Sequence, residues 1–126
     1  MNYDIKYNTG DNYFLIQTHG DFDINDFKEL AIEMLTHTNW VPGANCLFDY
    51  RMTNMLGVAR QDFENASAMH RENNSVVGNG KSALVMKDVG NYGMGRMYQN
   101  TTEGHVDTQF QIFSDYNHAK EWITTV

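Results

Sequence analysis

The sequence predicts an α/β fold: a five-stranded, mostly parallel sheet, entered by a β-hairpin and surrounded by four helices. Three observations carry this. Strand-like and helix-like runs alternate after the hairpin, the pattern of β-α units joined by right-handed crossovers. The run "KSALVMK" is continuously apolar between two lysines, as a strand covered on both faces must be. The opening holds two β-rich runs around "TGDN", where Gly10 and Asp11 are turn formers, so one antiparallel strand is added at an edge.

The elements follow in order. "YDIKYN" and "YFLIQTH" form the hairpin. "DFDINDFKELAIEMLTHT" is an amphipathic helix, with Ile24, Phe27, Leu30, Ala31, Met34 and Leu35 recurring at three- and four-residue steps. Asp23 is placed to cap it, and acidic residues suit the positive end of the helix dipole. Pro42 and Gly43 break the chain, and "NCLFDY" reads as a buried strand. "ARQDFENASAMHREN" is a second helix, with Phe63, Ala66 and Met69 or His70 inward. "KSALVMK" is the central strand, burying Leu84, Val85 and Met86. "GMGRMYQNTT" is a short helix with glycines at its start, and "HVDTQFQIF" alternates as a strand. "DYNHAKEWITTV" closes as a helix capped by Ser114 or Asp115, with Ala119, Trp122 and Ile123 inward.

The 126 residues make one domain, 1–126, long enough to bury a core. With 41% hydrophobic and 20% charged residues and a single proline, the composition is that of a soluble globular protein without a disordered linker. No apolar run is long enough to span a membrane, the opening lacks the pattern of a secretion signal, and Cys46 has no partner for a disulfide. These features lead us to expect a cytoplasmic protein. The net charge of −7 argues against nucleic acid, because phosphate contacts supply most of that affinity. Basic residues gather in residues 51–100, at Arg51, Arg60, Arg71, Lys81, Lys87 and Arg96. They suit a small anion or an acidic protein patch, or serve as ordinary solubilising charge.

No motif identifies a reaction, a metal or a cofactor, and none of the three is expected. In "DFDIND" the alternate Asp21, Asp23 and Asn25 resemble a calcium loop, but Asp26 and Ile32 stand where that loop needs glycine and glutamate. The five histidines show no metal-binding spacing, and Cys46 sits in an apolar strand as an inert thiol. Asp49 is either a functional group at a strand end or an internal partner for Arg51 or a backbone amide. In "NYGMGRMYQN", Gly93 and Gly95 do not complete G-x-G-x-x-G, since Tyr98 takes the last glycine's place, and no lysine follows as in a Walker loop. That stretch is read as a turn starting a short helix. Both glycines would let the backbone approach a neighbouring strand end, and Arg96 would reach Asp49 or bind an anion there.

"LFDYRM", "RQDFENA", "KSALVMKD" with "YGMGRMYQ", and "FQIFSDYNHAKEWI" resemble the SpoIIAA-like family over roughly residues 44–124. This family lies in the STAS superfamily of anti-anti-sigma factors and is related to the CRAL-TRIO lipid-binding fold. Gly93 to Arg96, and Ala119 to Trp122, match the family's glycine-arginine and alanine-tryptophan places. The resemblance implies the fold. The Asp-Ser-Ser-Gly turn that carries the phosphorylated serine in anti-anti-sigma factors is absent: Val58 and Ala59 fall near its place, with no hydroxyl, and Thr53 lies outside any matching motif.

The function expected is a non-enzymatic regulatory or binding module. Its contacts would be Asp49, Arg51, Arg60, Arg96 and Tyr98, on the loop region of residues 49–60 and 88–98. The alternative is a carrier or sensor of a small apolar or amphipathic, lipid-like ligand, consistent with eight adaptable methionines. An enzyme ranks third. Tyr92, Met94, Met97 and Tyr98, expected near a loop edge, suggest an apolar patch and a two-fold homodimer.

Overall fold

The structure is a computed structural model in which residues 1–125 are described. Five strands lie in the order β1-β2-β3-β4-β5: Asn2–Asn8, Tyr13–Asp21, Asn45–Asn54, Lys81–Val85 and Gln109–Phe113. β1 and β2 are antiparallel and every other pair is parallel. Each parallel crossover steps to the next strand in one direction. Right-handed crossovers of that kind place their helices on a single face. Accordingly α1 (Ile24–Leu35), α2 (Arg60–Glu72) and α4 (Val89–Thr102) share one side. The last helix, α5 (Tyr116–Thr124), packs Ala119 and Ile123 on the other, against Tyr13, Leu47, Ala83 and Val85.

The strand alternation sorts the side chains between these two layers. Phe14, Ile16, Cys46, Tyr50, Leu84 and Ile112 face the three-helix side, where Leu30 and Met34 of α1 meet them. Ala83, Leu84, Val85 and Met86 are all buried, as expected of a central strand. Trp122 turns inward but stays half-buried, tilted against Phe113 with Lys81 Nζ over its ring at 5.3 Å.

Three expectations about elements need correction. Five helices occur among the described residues, because one short turn, α3 (Asn74–Val77), follows α2 and is closed by Gly78 at φ 82°. Trp40 Nε1 donates to the Val76 carbonyl at 2.9 Å and ties this turn to the chain after α1. α4 begins at Val89, well before the glycines, because the Asp88 carboxylate accepts from the Asn91 N–H and caps it there. β3 continues past Tyr50 to Asn54, pairing with the end of β2 beyond an irregularity between Gln17 and His19. The α1 cap falls where the sequence placed it: Asp23 accepts from the Asn25 and Asp26 N–H groups. The α5 cap is Asp115.

Candidate functional site

Between the sheet and the α1-α2-α4 layer lies a cavity of about 160 Å³. The sheet supplies its floor through Cys46, Phe48, Tyr50, Ser82, Leu84 and Met86. Ala31 and Met34 of α1, Phe63 and Ala66 of α2, and Gly95 and Tyr98 of α4 form the opposite wall. Ile32 touches the cavity and is 63% exposed, so the wall at α1 is one side chain thick.

Gly95 shows how the cavity meets the packing. A Cβ there would stand 2.9 Å from the Met86 methyl and 3.4 Å from Ile112, so the helix lies close on the sheet at this point. Gly93 has open space instead, so only one of the two glycines serves a close approach.

The polar groups of the cavity gather around His70. Its Nε2 is 2.9 Å from the Thr108 hydroxyl, whose one proton goes to the Gly78 carbonyl at 3.2 Å. Thr108 therefore accepts, and Nε2 carries the ring proton. Nδ1 is left as an acceptor facing the Tyr98 hydroxyl at 3.4 Å. Phe110 closes the cluster edge-on to both rings, with centroids 5.4 Å from His70 and 5.9 Å from Tyr98. Burial pushes the imidazole pKa down to about 4, so His70 is neutral at neutral pH. Burial pushes the Tyr98 phenol up to about 12 and the Cys46 thiol to about 12, so both stay protonated and the thiol is inert, as expected.

The five residues proposed as contacts do not converge. Asp49 and Arg51 lie on the α5 face, where Arg51 Nε and Nη2 each reach the Asp49 carboxylate at 2.8 Å. Arg51 also stacks over the Tyr116 ring at 4.8 Å. Arg60 opens α2 and pairs with Glu64 at 3.3 Å in solvent. Arg96 is exposed, with no ion pair among the described residues. The expected Arg96–Asp49 pair is thus not formed: Arg51 already occupies the carboxylate, and Arg96 lies two turns down α4. Tyr98 alone of the five lines the cavity.

Residue-by-residue reading missed two features. Asn91, 6% exposed, accepts from the Met55 N–H at 2.8 Å and joins the start of α4 to the loop after β3. Its signal was the Asp88-x-x-Asn91 spacing, which suits a helix start. His70 was read only as a core-facing residue, because nothing local to it announces Thr108 or Tyr98. Of the four residues expected to form an apolar patch, Met97 alone is exposed; Tyr92 and Met94 pack on the core and Tyr98 lines the cavity.

No helix among the described residues is long and apolar enough to cross a membrane, and no group of three metal-ligating side chains occurs among them. No protein-family model matches the sequence, and no curated protein matches it. A solved structure does resemble it: an uncharacterised DUF3478-family protein from Shewanella loihica PV-4. The two are 16% identical, with a TM-score of 0.63 over 97% of this chain and 92% of the other. That structure is described as SpoIIAA-like. The strand order, the parallel pairing and this likeness together show that the chain has the SpoIIAA-like fold.

Proposed function

We propose that this STAS-type module is a carrier or sensor that binds a small apolar molecule in the cavity between its sheet and the α1-α2-α4 layer. One observation carries the reading: a cavity of about 160 Å³ walled mainly by aliphatic, aromatic and methionine side chains. Interiors are normally filled to crystal-like density, so a void of this size is retained at a cost to stability. An occupant would recover that cost. The test is thermal melting of the purified protein with toluene as probe. Binding at a hundred times the dissociation constant should add about 2.7 kcal/mol of stability. Ala66→Leu, which projects into the cavity, should abolish the shift. An unchanged melting curve in the wild type would overturn the proposal.

A protein partner at the loop edge is the second reading, supported by exposed groups there. Leu56 and Val89 are 61% and 90% exposed and Arg51 and Arg60 accompany them, whereas Arg96 lies further down α4. With no hydroxyl at Val58 or Ala59, such a partner would not be controlled by the phosphorylation switch of anti-anti-sigma factors. The reading extends to a non-enzymatic protein, cytoplasmic and homodimeric. Light scattering that gives a monomer at high micromolar concentration would remove the homodimer.

A further inference from the structure

The occupant's chemistry follows from size, charge and an unused phenol hydroxyl. Size comes first. A cavity of about 160 Å³ compares with the roughly 150 Å³ apolar cavity that admits benzene. One ring with a short substituent fits, and a long acyl chain does not.

Charge comes next. No Lys, Arg, Asp or Glu among the described residues lines the cavity. His70 is neutral there, with Nε2–H spent on Thr108 and Nδ1 facing Tyr98. An ionised carboxylate or amine would be desolvated with no opposite charge to compensate it, at a cost of several kcal/mol. The ligand must therefore be neutral.

The hydroxyl is that of Tyr50. This residue lines the cavity and is 5% exposed. Its neighbours are Phe48, stacked at 5.8 Å, and the apolar Met55, Leu84 and Met86. Among the described residues no group hydrogen-bonds its hydroxyl. Burial first, and then the nearby Tyr98, push its pKa up, so it remains a donor. Tyr98 is the other phenol, but its proton is directed to His70. The Ser82 hydroxyl also lines the cavity with no hydrogen bond among the described residues, and the Tyr50→Phe variant separates the two donors. The Tyr50 oxygen is not wholly enclosed by protein atoms, so an acceptor on a ligand in the cavity can reach it and complete its hydrogen bonding.

Resting on the proposed cavity function, we infer that the ligand is a neutral, single-ring molecule with one hydrogen-bond acceptor, received by the Tyr50 hydroxyl. Isothermal titration with three probes of similar size tests this: toluene, p-cresol and benzoate, each against the wild type and Tyr50→Phe. The variant removes one oxygen from a buried ring, and its melting curve checks that it is folded. p-Cresol should bind the wild type and lose about ten-fold in affinity in Tyr50→Phe, the value of one hydrogen bond. Toluene should change less than about two-fold, and benzoate should not bind detectably. Benzoate binding as tightly as p-cresol, or equal losses for toluene and p-cresol in the variant, would overturn the inference while leaving the cavity function intact. Failure of all three probes would remove both.

Discussion

Arg51 holds Asp49 in a two-pronged ion pair within one strand, with Nε and Nη2 both at 2.8 Å and the Arg51 N–H adding a third bond at 3.2 Å. Positions i and i+2 of a strand point to the same face, so the pairing needs no loop to bring it about. Burial alone would push the Asp49 carboxyl up; the Arg51 bonds outweigh it and hold the pKa below its ordinary 3.8. Asp49 is 6% exposed, whereas the Arg51 side chain is 42% exposed. Arg51→Met should therefore cost about 1–2 kcal/mol, less than the loss of a fully buried partner. Arg51→Lys should cost nearly as much, since the planar fork is lost. The pair's contribution is full above pH 3.8 and declines as pH falls through the lower folded-state pKa. Urea midpoints of wild type and Arg51→Met should converge below pH 3.8; a constant gap would refute the assignment.

His70 also makes stability fall as pH falls, but in a higher pH window. Its folded pKa of about 4 lies below the ordinary 6.5, so the unfolded chain binds the extra proton between those values. Stability should be full above pH 6.5 and fall as pH drops to 4, by about 3 kcal/mol in all. A His70 imidazole titrating near 6.5 by NMR in the folded protein would contradict this.

The two glycines of α4 should respond differently to alanine. A Cβ at Gly93 meets nothing within 4 Å, so Gly93→Ala should gain about 0.5–1 kcal/mol from helix propensity alone. Gly95→Ala must displace the Met86 methyl, 2.9 Å away, which is the flexible end of a side chain bordering the cavity. Its overall stability change should stay within about 1 kcal/mol, because displacement offsets propensity. Probe affinity should fall as the methyl moves into the cavity. Chemical denaturation beside toluene titration distinguishes the pair, and equal affinity in both variants would contradict the account.

Asn91→Ala should destabilise by about 1–3 kcal/mol, because it strands the Met55 N–H that Asn91 accepts from at 2.8 Å. Asn91→Asp keeps the acceptor and should recover part of this loss. A loss below about 0.5 kcal/mol in Asn91→Ala would mean that the loop finds another partner.

What the sequence disclosed was what neighbouring residues decide. Leu84 and Val85 announced a strand covered on both sides because burial on both faces demands an unbroken apolar run; Met86, expected in it, is buried just past its end. Asp23 announced a helix start because a cap acts over three residues. The parallel sheet followed from element order alone. The end of β3 was hidden, since "RMTN" carries no apolar alternation and is held by β2. The cavity was hidden more deeply. Its walls come from residues 22 to 110, and it consists of space that side chains leave unfilled. No residue type marks such a space. His70 gains its role from Tyr98, Thr108 and Phe110, all far along the chain. Arg96 was over-read because its charge and neighbouring glycines suggested an anion corner, whereas α4 had already begun at Val89.

The central claim, that the cavity takes a small apolar molecule, is tested most directly by the methionine methyl groups. Met34, Met55, Met69 and Met86 line the cavity, while Met52 and Met97 lie on the surface, 71% and 46% exposed. In protein labelled at the methionine methyls, NMR titration with p-cresol should shift the four lining resonances to saturation and leave Met52 and Met97 in place. Shifts confined to Met52 and Met97, or no saturable shift at the four lining methyls, would contradict the account.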